Sequence, residues 1–150
     1  MIQGIEIRKL EKHVDERGFL CELLRKDWEI FDEFAMAYVS VAYPGVVKAW
    51  HRHNIRIDNL CTIGGMAKIV VYDERKNSPT NGVISEFIVG EDSMVLVKIP
   101  PGCWHGFKAI GTKPVVLINF PSILYDPENP DEDRLPPDTE KIAYDWKSAP

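Results

Sequence analysis

Within Val47-Lys48-Ala49-Trp50-His51-Arg52-His53-Asn54, two histidines stand one residue apart, beside a tryptophan and between cations. Side chains alternate along a strand, so His51 and His53 share one face with Val47 and Ala49, while Trp50 and Arg52 take the other. Imidazoles in that pattern have three uses: half-exposed structural residues, metal ligands, or an acid–base pair. A third imidazole, His105, lies in Ile99-Pro100-Pro101-Gly102-Cys103-Trp104-His105-Gly106-Phe107, just after a Pro-Gly turn that ends a strand. Small β-barrels bind ligands in their mouths or interiors, and two strands of such a barrel would bring all three together. A histidine whose ordinary pKa is about 6.5 suits proton transfer near neutral pH.

The elements around these residues read as strands. Runs at 37–43, 66–72, 83–89, 94–99 and 115–120 are rich in β-branched and aromatic residues, with turn signals between them. Such spacing predicts an all-β sandwich or barrel. One stretch, 26–34, reads as a short peripheral helix. Gly64-Gly65 and Asn81-Gly82 read as hairpin turns, and the acidic, proline-rich tail from Asp126 to Asp138 as an extended wrap. With 150 residues, no internal repeat and no long linker, residues 1–150 form one domain.

Composition narrows the function. A net charge of -5 argues against nucleic acid as a partner. No apolar run reaches the length of a membrane span, and the N-terminus has no signal-peptide pattern. Three scattered cysteines, Cys21, Cys61 and Cys103, suit reduced thiols in the cytoplasm.

The spacing from Gly45 through His51, His53 and Asp58 to Gly65 resembles the first cupin motif, with aspartate where glutamate is usual. Pro100 to His105 resembles the core of the second. The resemblance implies a cupin jelly-roll β-barrel. In metal-binding cupins these positions hold the ion, so His51, His53, Asp58 and His105 could bind a divalent transition metal. Four further stretches are similar to dTDP-4-dehydrorhamnose 3,5-epimerases: Asp15 to Glu22, Tyr72 to Gly82, Ile99 to Phe107, and Tyr125 to Glu128. Their order holds from about Val14 to Glu128.

That resemblance implies proton chemistry on a nucleotide-linked 4-keto-6-deoxy sugar, without a cofactor. The ketone acidifies the neighbouring C–H bonds, because the carbanion delocalises as an enolate. His51 matches the family's base, and His53 and His105 would support it. Arg17, Phe19 and Glu22 would line the nucleotide end, with Tyr125 stacked on the base. Lys48 replaces an arginine that binds the diphosphate, keeping its charge without the bidentate fork. The position of a family lysine falls at Asn59 or Asp58. Arg75 could bind phosphate, and Trp104 is the tryptophan placed to touch ligand. The family also implies a homodimer with sites completed across the interface.

Departures accompany the match. The family's acid, a tyrosine, falls at Ile118, which has no proton to donate, and the family's C-terminal aspartate has no counterpart. Tyr38, on a strand before the cluster, is the substitute offered. The His51-x-His53 pair also resembles sugar 3,4-ketoisomerases, which move protons on one face of the ring. A sugar-nucleotide binder without turnover is the remaining alternative.

Overall fold

The computed structural model describes residues 1–147, which form twelve strands and no helix. One five-stranded antiparallel sheet runs in the order β1 (Glu6–Lys9), β9 (Val95–Ile99), β6 (Asp58–Gly64), β11 (Val115–Asn119), β4 (Tyr38–Ala42). The second runs β12 (Asp133–Arg134), β5 (Val47–Arg52), β10 (Cys103–Ile110), β7 (Met66–Asp73), β8 (Ile84–Gly90). A separate hairpin joins β2 (Lys12–Asp15) to β3 (Gly18–Cys21). This is the jelly-roll sandwich expected of a cupin, and all five predicted strand runs are present.

Alternation builds the core. Leu60, Ala67, Ile69, Val71, Phe107, Val115 and Leu117 point between the sheets and form one buried cluster. The outer faces are covered as well. Leu10, Ile30, Cys61 and Leu96 close the first sheet, and Trp50, Val70, Trp104, Ile142 and Trp146 close the second.

Four expectations change. No helix forms at 26–34: the chain makes isolated turns, such as the Phe31 N–H donating to the Trp28 carbonyl at 2.9 Å. Burial of Trp28 and Ile30 against the first sheet dictates that course instead of a helical period. Gly64-Gly65 is not a hairpin, because β6 and β7 lie in different sheets. Gly65 has φ of +66° and carries the chain across, with the Pro114 carbonyl oxygen 2.3 Å from where a Cβ would sit. The tail does more than wrap, since β12 pairs with β5 and residues beyond it bury Trp50. Finally, β5 does not alternate simply. Its pairing with β10 matches His51 to His105 but Lys48 to Phe107, so β5 holds an extra residue there.

Candidate active site

The bulge in β5 decides what lines the cavity. Phe107 faces the core, and Lys48, its partner, turns inward with it, while Val47 packs on the outer cluster. This corrects the expected sharing of the histidine face by Val47. Close strand approach makes Gly106 necessary: a Cβ there would lie 2.4 Å from that of Ala49. The resulting cavity, about 400 Å³, lies between the sheets and is lined by Tyr38, Ser40, Lys48, His51, His105 and Arg134 among others.

The three imidazoles converge. His51 and His105 are register partners on the inner face, with ring centroids 4.0 Å apart. His53 completes the group, its ring 5.4 Å from that of His51. All three direct Nε2 at one carboxylate oxygen, Asp58 Oδ2, at 3.8 Å for His51, 3.2 Å for His53 and 3.1 Å for His105. The other oxygen, Oδ1, accepts from Arg56 Nε at 2.8 Å. His53, His105 and Asp58 are buried, and the His51 side chain is the exposed member.

The opposite ring nitrogens are also occupied. Nδ1 of His105 lies 3.1 Å from the Cys103 carbonyl oxygen, and Nδ1 of His53 bonds the Asp131 carbonyl. A carbonyl only accepts, so both histidines carry a proton on Nδ1. The Asp131 carboxylate in turn accepts the backbone N–H groups of Asn54, Ile55 and Arg56 at 2.7, 3.0 and 2.9 Å, fastening the tail to the loop that carries His53.

Burial, then the neighbouring His105, pushes the His51 pKa down to about 4, against the pull of Asp58. His51 is therefore a neutral base at physiological pH. Burial alone would raise Asp58, but the surrounding imidazoles of His105, His51 and His53 outweigh it and hold the carboxyl well below the ordinary range.

Other sequence candidates fall elsewhere. Trp104 points to the outer face, where Nε1 donates to Glu74 Oε2 at 2.7 Å and Arg52 stacks on the ring, so strand alternation removes it from the cavity. Asn59 also faces outward, with Nδ2 donating to the Phe120 carbonyl at 3.0 Å. Arg75 braces the β7–β8 hairpin through Asp73 Oδ1 at 2.8 Å, not a ligand pocket. Arg17, Phe19 and Glu22 sit on or beside the β2–β3 hairpin, where Arg17 pairs with Asp15 and Glu22 with Arg25. None of these three lines the cavity of its own chain. Tyr125 borders a neighbouring hollow that shares Glu132 with the cavity. Sequence reading missed Ser40, Arg56, Asn119, Asp131 and Arg134. Only Arg56 carried a local signal, being a cation two residues before Asp58.

Residues 13–132 match the family model described as Polysaccharide biosynthesis C-terminal domain. The chain is 46% identical over 149 residues to the probable low-salt glycan biosynthesis epimerase Agl13 of Haloferax volcanii, covering 98% of this chain and 96% of that protein. It is 40% identical to the spore coat polysaccharide biosynthesis protein SpsL of Bacillus subtilis, covering 99% and 98%. The crystal structure of a dTDP sugar isomerase from Desulfovibrio desulfuricans G20 superimposes with a TM-score of 0.94 at 31% identity, over 99% of this chain and 94% of that one. The chain thus belongs to the polysaccharide-biosynthesis cupins, among the sugar epimerases of the dTDP-4-dehydrorhamnose 3,5-epimerase type.

Proposed function

We propose that this enzyme epimerises a nucleotide-linked 4-keto-6-deoxy sugar by removing a proton from carbon next to the ketone. The observation that carries the reading is His51. It is neutral, partly exposed in the wall of the cavity between the sheets, and backed by Asp58, which stabilises the imidazolium formed when it takes the proton. Lys48 lies in the same cavity, where its Nζ donates to Ser40 Oγ at 3.0 Å, and supplies positive charge for an enolate or a phosphate. Incubation with dTDP-4-keto-6-deoxyglucose in D2O tests this by NMR. Deuterium at C3 or C5 with inverted configuration is the expected result. A displaced ketone would mean ketoisomerisation, and binding without exchange a binder alone.

One feature of the cluster favours a second reading, in which it holds a divalent transition metal. Nδ1 of His53 and of His105 faces a backbone carbonyl, so Nε2 of each is the nitrogen turned to the Asp58 carboxylate, where an ion between them would find its ligands. His53 Nε2 is buried without a hydrogen-bond partner. All four donor atoms lie within 4.8 Å of one another. The 3.1 and 3.2 Å contacts approach the donor spacing of about 3.3 Å in tetrahedral zinc sites. His51, His53, Asp58 and His105 would hold such an ion, which would polarise a substrate oxygen. Elemental analysis separates the readings. One equivalent of metal, lost in His53→Ala, supports the second, and metal-free active protein supports the first.

We further propose a homodimer. The β2–β3 hairpin stands apart from the sandwich with Val14, Phe19 and Leu20 exposed, and edge strand β4 exposes Val39 and Val41. A two-fold pairing would cover these surfaces and offers the route by which Arg17 and Phe19 approach a partner's cavity. A monomer by light scattering at working concentration would refute it. A cytoplasmic location fits the three free cysteines. No helix among the described residues is long and apolar enough to cross a membrane.

A further inference from the structure

We infer that Tyr38 is the acid that returns a proton to the substrate from the face opposite His51. The inference deepens the epimerase reading above and rests on it.

Inversion at carbon needs a base and an acid on opposite sides of the sugar ring. His51 and His105 stand on the second sheet, whereas Tyr38 reaches the same cavity from β4 of the first. A ring held between the sheets therefore has imidazole on one face and phenol on the other. The position matched to the family's acid cannot serve. Ile118 pairs with Val39 and Cys61, and Cys61 lies in the outer cluster. Its neighbour Asn119 points inward instead and is fully buried.

Asn119 settles how the phenol is used. The backbone N–H of Asn59 donates to Asn119 Oδ1 at 3.0 Å, and because that group can only donate, it fixes which end of the amide faces Tyr38. Asn119 Nδ2 consequently donates to the Tyr38 hydroxyl oxygen at 2.9 Å. The phenol accepts there, so its own proton is left for the cavity. The positive charge of Arg56 acts on the Tyr38 hydroxyl as well and favours its ionised form. Burial and the Asp58 charge raise the Tyr38 pKa and keep the phenol protonated until it is needed, while the Asn119 donor and the Arg56 charge favour the phenolate left after proton donation.

The step balances as follows. His51 takes the proton from the carbon beside the ketone, and the bonding pair passes into the enolate. Tyr38 O–H gives its proton to the same carbon from the far face, and the enolate pair forms the new C–H bond. Solvent returns a proton to the phenolate and receives one from the imidazolium, so the net change is isomerisation.

Tyr38→Phe removes the proton and keeps the ring. With dTDP-4-keto-6-deoxyglucose in D2O, the variant should still place deuterium beside the ketone but with retained configuration, His51 returning the label to the face it attacks. Epimer formation should fall roughly 100-fold or more, with the melting temperature little changed. Inversion at the parent rate would overturn the assignment. So would loss of exchange along with inversion in a folded variant that still binds dTDP, since Tyr38 would then be required for abstraction. Absence of exchange in the parent would instead sink the epimerase reading, and this one with it.

Discussion

His51 differs from the two histidines beside it in one respect that matters for chemistry. Its side chain is 26% exposed, against 1% for His53 and 2% for His105. It is the ring a substrate can reach, while the buried pair are locked through Nδ1 to backbone carbonyls. In the proposed reaction His51 is accordingly the base, as its match to the family implies, and the other two shape its surroundings. Replacing His51 by Asn preserves a polar group near Asp58 but removes the base. Turnover of dTDP-4-keto-6-deoxyglucose should fall roughly a hundred- to ten-thousand-fold, with an unchanged melting curve. A variant within about tenfold of the parent would show that the proton leaves by another route.

Among the elements, the β7–β8 hairpin holds its shape through a single carboxylate. Asp73 accepts from Arg75 Nε at 2.8 Å, Ser78 Oγ at 2.6 Å and Thr80 Oγ1 at 2.7 Å. Burial alone would raise its pKa, but these bonds outweigh it and hold the carboxyl below the ordinary range. A carboxyl depressed in the folded state stabilises the protein above its unfolded pKa of about 3.9, and that contribution disappears as pH falls through the folded value. Asp73→Asn should therefore lower stability at pH 7 by roughly 1.5–3 kcal/mol, the range for bonds to a charged group. Its stability should also fall less steeply than the parent's below about pH 4. Denaturant melts at pH 7 and pH 3 check both, and parallel loss in the two proteins would discount the carboxylate. This hairpin matched a sugar-nucleotide family strongly in sequence, and in the structure its Arg75 is engaged with Asp73 in the turn.

At the scale of the molecule, the tail joins the outer face of the second sheet to the active site. Trp146 packs on Trp50 with ring centroids 4.9 Å apart, and its carbonyl accepts from Lys108 Nζ at 2.8 Å. Upstream, β12 pairs with β5, and Asp131 fastens the loop bearing His53. Truncating Trp146 to Ala opens a cavity over Trp50 and should cost about 3–5 kcal/mol. If the tail is one unit, backbone amides of β12 and of 54–56 should exchange faster with it. Loss of stability without faster exchange at 54–56 would show that the anchor and the clamp are independent.

What the sequence determined by itself was whatever depends on local periodicity and residue chemistry. Runs rich in β-branched and aromatic residues between turn signals specified five strands, a property local to each segment. The pair His51 and His53, and His105 after its Pro-Gly turn, marked the candidate reactive groups, and motif order identified the family. Tertiary structure decided the rest, because it depends on which strands meet. An extra residue in β5, visible only in its pairing with β10, turned Lys48 into the cavity. Strand order brought Asp58 under His51 and His105 of the opposite sheet and His53 of the loop after β5, and set Tyr38 and Asn119 across from His51. Trp104 and Asn59 went outward for the same reason. A side chain's face follows from its neighbours in sequence only while the ladder is regular, and what it faces follows from residues tens of positions away.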